Sequence, residues 1–312
     1  GIAPSDLDSI DTSQLLSLVV ARGALNDAGY SDNREFNRDT VSVILGLTGT
    51  IELVLPLGAR LGHPLWRKAM LHAGISSEIT EEVISTLGKA YVGWQENSFP
   101  GLLGNVAAGR IANRLDLGGT NCVIDAACGS SLGALEMAAM QLWTHKSDMA
   151  ITGGVDTFND IFMYTCFCKT PALSPTGHAR PFSEDNDGTI LGEGIGMYVL
   201  KRLSDAERDG DRIYACINAV GSSSDGKGKA IYAPSAEGQK KALLRAYEES
   251  GISPKDIGMV EAHGTGTGAG DQVELAALNE VYGASETGRP WCALGSVKSQ
   301  IGHTKAAAGS AN

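Results

Sequence analysis

The chain contains no run of 18 apolar residues and no signal peptide, so nothing in it reads as a membrane-spanning helix or a secretory leader. Basic residues are in deficit: 25 Lys and Arg stand against 36 Asp and Glu, a net charge of −11. That balance argues against nucleic acid as a partner, because phosphate backbones need a basic face. It leaves docking to an acidic protein through a local patch open. Cysteine is scarce, with six in 312 residues, which excludes a secreted disulfide scaffold. Cys122, Cys166, Cys168, Cys216 and Cys292 sit among apolar or aromatic neighbours and read as buried thiols. The spacing Cys166-Phe-Cys168 is too short for a zinc knuckle, and no metal is expected. The expected compartment is the reducing cytoplasm. Low-complexity segments and linkers are absent. So is an initiating Met: the chain begins at Gly1 and stops after Ala306-Ala307-Ala308-Gly309, and both ends read as cuts within a longer polypeptide.

Glycine is plentiful, at 40 residues, roughly twice the usual share of about 7%. These glycines fall between apolar runs, so they mark tight turns and close backbone approaches rather than disorder. Ser13–Tyr30 reads as an amphipathic helix with Leu15, Leu16, Val19, Val20 and Leu25 on its apolar face and Gly29 at its end. Val41–Leu45 reads as a strand. Thr80–Gln95 reads as a helix with Thr80 as its N-cap, and Leu103–Leu115 as another. Asn121–Ala126 is predicted to be a buried strand that runs through Cys128 into a helix over Gly129–Thr144, with Leu132, Leu135, Ala139 and Leu142 on one face. Met149–Gly153 and Gly194–Leu200 read as strands. The loop Lys169–Gly192 between them is long enough to be docked over a site.

Beyond Asp211, Ile213–Val220 reads as a strand and Ala236–Ser250 as a helix ended by Gly251. Ile257–Ala262 is predicted to be a strand, Gly270–Tyr282 a helix and Cys292–Gly295 a strand. Strands alternate with helices, which predicts an α/β fold with a mostly parallel sheet. The segments CVIDAACGSSLGALEMAAMQL and GMVEAHGTGTGAGDQVELAAL share a strand, a glycine-bearing turn and a helix. They suggest an internal duplication, with halves at 1–205 and 206–312.

Three side chains carry chemistry in this reading. Cys128, in DAACGSSLGA, sits where a strand meets a helix start. Free N–H groups and positive dipole there favour a thiolate, and a backbone N–H at such a turn can serve an oxyanion. Alone, Cys128 is equally compatible with an inert buried thiol. His263, in VEAHGTGTGAGDQVE, is placed at a strand end to project into a cleft, or else to anchor its turn. His303, in GSVKSQIGHTKAAAG, sits near a helix start, which biases imidazole toward its neutral form. Lys298 is either an exposed lysine or a partner for Glu274 or Asp271. One cysteine and two histidines, each at a strand end beside glycine turns, suit acyl transfer with two hydrogen-bonding bases. His63, His72 and His145 read as surface or packing residues, and His178 stays undecided. GEGIG and GTGTGAG lack the βαβ context of a nucleotide site.

At these residues the sequence resembles the β-ketoacyl synthases of the thiolase fold. DAACGSSL is similar to their nucleophile motif, EAHGTGTGAGD to the first histidine motif and VKSQIGHTKAAAG to the second. The resemblance spans essentially all 312 residues and is nearest to ketosynthases of polyunsaturated fatty acid and heterocyst-glycolipid-type synthases. It implies a thiolase-like αβαβα layered fold built from two similar halves, truncated at both ends, without the Gly-Phe-Gly-rich loop that supplies a second oxyanion donor.

The resemblance also implies roles. Cys128 would take an acyl chain from the phosphopantetheine arm of an acyl carrier protein. His263 and His303 would drive decarboxylation of malonyl-carrier protein and stabilise the enolate. Lys298 and Glu274 would form a supporting charged pair, Asp271 would order the loop, and Thr265 and Thr267 would hold the pantetheine arm. No cofactor would be bound directly. The expected assembly is a homodimer within a multidomain synthase. The competing readings are a non-catalytic, chain-length-factor-like partner, a cysteine hydrolase and a plain thiolase.

Overall fold

The computed structural model describes residues 2–31, 33–227, 230, 233–283 and 288–312. In chain order its elements are α1 (Thr12–Asp27), β1 (Val41–Leu47), α2 (Ile51–Ala59), α3 (His63–His72), α4 (Ser77–Lys89), α5 (Ser98–Gly101), α6 (Val106–Leu115), β2 (Asn121–Ile124), α7 (Ser130–Trp143), β3 (Met149–Asp156), α8 (Ile161–Lys169), β4 (Gly194–Leu200), α9 (Leu203–Arg208), α10 (Ala236–Ser250), β5 (Met259–Glu261), α11 (Gly268–Tyr282), β6 (Ala293–Gly295), α12 (Lys298–Ile301) and α13 (Ala308–Ala311).

β1 and β3 are buried along their whole length, as near-continuous runs of apolar and small residues should be when helices cover both sheet faces. They form the centre of a four-stranded sheet in the order β2-β1-β3-β4. β1 runs parallel to both β2 and β3, while β4 closes the edge antiparallel to β3. On one face, Ala21 and Leu25 of α1 and Ala107, Ala108 and Ile111 of α6 pack on Val41, Val43 and Leu45. On the other, Ala134, Ala138 and Leu142 of α7 pack on Ile44 and Ala150. The small residues let helix and strand backbones approach closely. A Cβ at Gly46 would overlap the backbone of Ser130 and Ser131, so the start of α7 rests directly on β1. A second sheet pairs β5 with β6 in parallel, and α10 and α11 lie against each other through Tyr247 and Tyr282. No helix among the described residues is long and apolar enough to cross a membrane.

Several expectations need correction. The buried face of α1 is Ser13, Gln14, Ser17, Ala21 and Leu25, whereas Leu16 and Val19 are exposed. Gln14 explains the reversal: its amide donates to the carbonyls of Pro100, Gly101 and Leu103, and its oxygen accepts from Arg110. The helix is thus seated by a satisfied polar group together with Ala21 and Leu25, and not by Leu16 and Val19. On α7, Leu132 is likewise exposed, because the alanine face meets the sheet. α4 starts earlier than predicted, with the Ser76 hydroxyl accepting from the Ile79 N–H; Thr80 is buried inside it. Asn121–Ile124 is an edge strand rather than a buried one. Ile213–Val220 forms no strand, since no described strand runs beside it to take its backbone hydrogen bonds. Of the five cysteines expected to be buried, Cys166, Cys168 and Cys216 are exposed and Cys122 and Cys292 only half-buried.

Candidate active site

β2 ends at Ile124 and the chain turns through Asp125–Cys128 into α7. Asp125 holds this turn by accepting from the Thr48 hydroxyl and the Ala127 N–H. Ser130 staples it from the helix side, donating to the Ala127 carbonyl and accepting the Ala126 N–H. Ala127 is forced to φ +50°, a left-handed conformation costly for any residue with a Cβ. The result places Cys128 with its sulfur within 4.8 Å of a nitrogen of each of two histidines. Its thiol does not follow the expected direction: burial pushes its pKa up, opposed by the charge of Lys298, its own backbone N–H and Lys305. Desolvation outweighs the helix start, since a thiolate in a poorly solvated site loses more hydration than that turn returns.

β5 delivers His263 to the same place. Its turn is shaped by carboxylates. Glu274 accepts the N–H groups of His263 and Gly264 at 2.7 and 2.8 Å. Asp271, 2% exposed, accepts from Gly266 N–H, Phe182 N–H and the Asn186 amide. It thereby ties the first histidine turn to the Lys169–Gly192 loop. The loop is docked further by Gly188 N–H on the Gly266 carbonyl and by a two-way exchange with His303: His303 N–H binds the Ile190 carbonyl and Gly192 N–H binds the His303 carbonyl. Thr265 and Thr267 share a 2.8 Å hydroxyl contact on this turn.

His303 is buried between α12 and the 3-10 turn Lys305–Ala307. Its Nδ1 accepts the Lys305 N–H at 2.9 Å. That contact requires Nδ1 to be unprotonated, so in the neutral ring the proton sits on Nε2. The two imidazoles stand edge to face, 5.4 Å between centroids. Desolvation holds both pKa values down, His263 to about 4 and His303 to about 3. The His263 ring further disfavours charge on His303, and Lys298 lowers both. His263 is exposed as a residue, while protein packed around its ring removes enough water to hold its charge off.

The Cys128 sulfur and a nitrogen from each of His263 and His303 all lie within 4.8 Å of one another. Three residues distant in sequence therefore meet around one point. A thiol and two imidazoles are also a metal donor set, but this one is poorly arranged for a cation. The proton of His303 occupies Nε2, the nitrogen left to coordinate, and the buried Lys298 charge acts on all three groups.

Lys298 is 1% exposed, which removes the surface reading. Among the described residues, no ion pair within 4.0 Å joins it to Glu274 or Asp271. Its ammonium contacts Asn312, Glu274 acts on it only at longer range, and the Glu274 carboxylate is taken by the backbone of the histidine turn. Sequence reasoning missed Asp156 and Lys305. Their signal was present, as an acid ending the apolar run MAITGGVD and a lysine two positions after His303, but nothing local connects them.

Residues 1–206 match the family described as Beta-ketoacyl synthase, N-terminal domain, and residues 214–312 match Beta-ketoacyl synthase, C-terminal domain. A polyunsaturated fatty acid synthase polypeptide of Thraustochytrium sp. is 40% identical over 311 residues, covering 99% of this chain and 11% of that protein. Polyketide synthase PksL of Bacillus subtilis is 37% identical over 308 residues, covering 99% of this chain and 6% of that one. Among solved structures, the ketosynthase from module 6 of the bacillaene synthase from Bacillus subtilis 168 superposes with a TM-score of 0.80 at 36% identity, covering 100% of this chain and 48% of that chain. The chain thus spans about half of that ketosynthase and a small part of each curated relative.

Proposed function

This chain belongs to the β-ketoacyl synthase family, with the thiolase-like α/β fold of its ketosynthase neighbours, and from that premise we propose that it carries out decarboxylative Claisen condensation on acyl chains held by an acyl carrier protein. The observation that carries this reading is the convergence of Cys128, His263 and His303 within 4.8 Å.

In the first step the Cys128 sulfur attacks the thioester carbonyl of the incoming acyl chain. The phosphopantetheine sulfur leaves, taking up the Cys128 proton. The raised thiol pKa suits a nucleophile that ionises only as it is used, with Lys298 as the leading charge favouring the anion. In the second step malonyl-carrier protein loses carbon dioxide, and the bonding pair moves into an enolate. Both imidazoles are neutral at pH 7, so each offers an N–H to the thioester oxygen as it gains charge. The enolate carbon then attacks the Cys128 thioester. The carbon–sulfur bond breaks, the 3-ketoacyl product leaves on the carrier protein, and the Cys128 thiolate takes a proton from solvent.

Lys298 tunes the thiol, Glu274 and Asp271 hold the first histidine turn, and Thr265 and Thr267 line the approach of the pantetheine arm. The exposed edge of β2 suits continuation of the sheet into a second copy, and a cytoplasmic homodimer within a multidomain synthase fits this chemistry. The two halves carry the nucleophile and the histidines respectively.

The test uses the intact protein with acyl- and malonyl-loaded carrier protein. Acyl-carrier protein adds one acyl group to the wild type and none to Cys128→Ala. His303→Ala suppresses malonyl decarboxylation but still accepts the acyl group. Acylation persisting in Cys128→Ala, or a wild type that binds carrier protein without acylation, would instead favour a non-catalytic partner.

A further inference from the structure

The last strand of the main sheet's parallel core ends on an acid that the mechanism above does not use. Asp156 closes β3 and is 9% exposed. Its carboxylate lies 2.8 Å from the Lys305 ammonium and also accepts the N–H of Ala306. Lys305 is 7% exposed, and its remaining donors reach the Asn159 side chain at 2.6 Å and the Gly192 carbonyl at 3.0 Å. A buried lysine is thus completely coordinated by one carboxylate and two carbonyl oxygens.

This cluster sits where His303 is controlled. Lys305 takes φ +48°, the left-handed region that a residue with a side chain occupies only when its surroundings hold it there. In that conformation its N–H points back to Nδ1 of His303 at 2.9 Å. Gly192, whose carbonyl binds the Lys305 ammonium, donates its own N–H to the His303 carbonyl. The ion pair therefore grips the turn after His303 from one side and the loop before it from the other. The floor beneath is tight: a Cβ at Gly154 would lie 2.6 Å from Ala307 Cα and 2.7 Å from Ser131 Cβ, so β3, this turn and the start of α7 are locked together.

We propose that Asp156 and Lys305 are positioning residues that fix the Nε2–H tautomer of His303, by clamping the strained turn whose N–H occupies Nδ1. A buried pair broken on one side leaves an uncompensated charge, so the turn must relax when either partner is removed. Relaxation frees Nδ1 and admits the Nδ1–H tautomer, which turns a lone pair rather than a proton toward the cleft. The catalytic consequence rests on the reading of the site given above; the tautomer itself does not.

The experiment compares Lys305→Met, Lys305→Gly, Lys305→Arg and Asp156→Asn with wild type, using Lys240→Met as a control that removes an exposed ion pair. Long-range proton–nitrogen correlation on histidine-labelled protein reads the His303 tautomer directly. The wild type and Lys240→Met show Nε2 protonated alone. Lys305→Met and Asp156→Asn show a mixture. Lys305→Gly separates backbone from side chain: glycine accepts the left-handed turn, so if the clamp matters this variant loses the single tautomer too. Lys305→Arg retains it in part, because the guanidinium still pairs with Asp156. In parallel, malonyl decarboxylation falls roughly 10- to 100-fold in Lys305→Met and Asp156→Asn, by analogy with the loss of partners that orient metal-bound histidines, while acylation of Cys128 changes less than about threefold on the same argument. A single Nε2–H signal in Lys305→Met and Asp156→Asn overturns the proposal. A mixed signal in these variants together with a wild type that never decarboxylates malonyl thioesters upholds the clamp and removes the condensation reading instead.

Discussion

The turns that carry Cys128 and His263 are built to the same plan, each with a carboxylate accepting from its backbone, and differ in how much packing backs them. Each follows a parallel strand and opens a helix of 14 or 15 residues. The Cys128 turn is wedged by packing: α7 lies on β1 and β3 through alanines, and Gly46 admits the Ser130 backbone. The His263 turn has little packing to use, because among the described residues β5 pairs with β6 alone and neither strand is fully buried. Carboxylates take over, with Glu274 and Asp271 between them receiving the N–H groups of His263, Gly264 and Gly266. Both turns thus use side-chain hydrogen bonds, and the first adds the shape of a packed sheet where the second adds further carboxylate contacts.

The contrast is most exposed at Asp271. Asp271→Ala strips a buried acceptor from three N–H donors and should destabilise the protein by about 3 kcal/mol. Urea denaturation measures that loss, and limited proteolysis within Lys169–Gly192 should accelerate. Cys128 alkylation should hold, since its turn does not depend on this carboxylate. Gly46→Ala is the mirror case. The added methyl overlaps the Ser130 and Ser131 backbone, should cost about 2 kcal/mol, and should change the Cys128 alkylation rate while leaving proteolysis of the loop as in wild type.

A smaller effect separates the two halves of the site through pH. Both histidines are held below their unfolded value of 6.5, at about 4 and about 3. Between those values and pH 6.5 the unfolded chain binds more protons than the folded one, so stability rises with pH across this window. Their contribution is complete above about pH 6.5 and is lost as pH falls toward 3. Glu274 and Asp156, raised by burial, act in the opposite sense as they protonate. The difference between wild type and His303→Asn isolates the histidine: urea midpoints at pH 7 and pH 5 should diverge less in the variant, and equal divergence would mean His303 is not held neutral. The smallest effect is expected for Lys240→Ala. Its partner Glu280 is exposed, and solvent screens such a pair, so the urea midpoint should stay close to that of wild type. A larger loss on denaturation would show that the second half leans on surface charge after all.

Local features were legible in the residues. α10 ends at Gly251, which takes φ +67°, and Cys128 and His263 do lie in the turns that follow β2 and β5; His303 was expected at a strand end too, but α12 stands between it and β6. Facing and pairing were not. The leucines of α1 give a convincing apolar stripe, yet Gln14 and two serines face inward, because three carbonyls of a distant segment satisfy the amide. Ile213–Val220 has the residue pattern of a strand, but a strand also needs a neighbour.

Chemistry and local geometry were settled along the chain itself: a thiol and an imidazole in the turns after β2 and β5, and a second imidazole directly after Gly302, because backbone conformation is set within a few residues. The folded arrangement settled every property that depends on what surrounds a group. It put Lys298 inside, raised the thiol where a helix start alone would lower it, gave Glu274 to the backbone instead of to a lysine, and joined Asp156 to Lys305 across 149 positions. Desolvation and partner choice are functions of the atoms within a few ångströms, and in this protein those atoms come from distant parts of the chain.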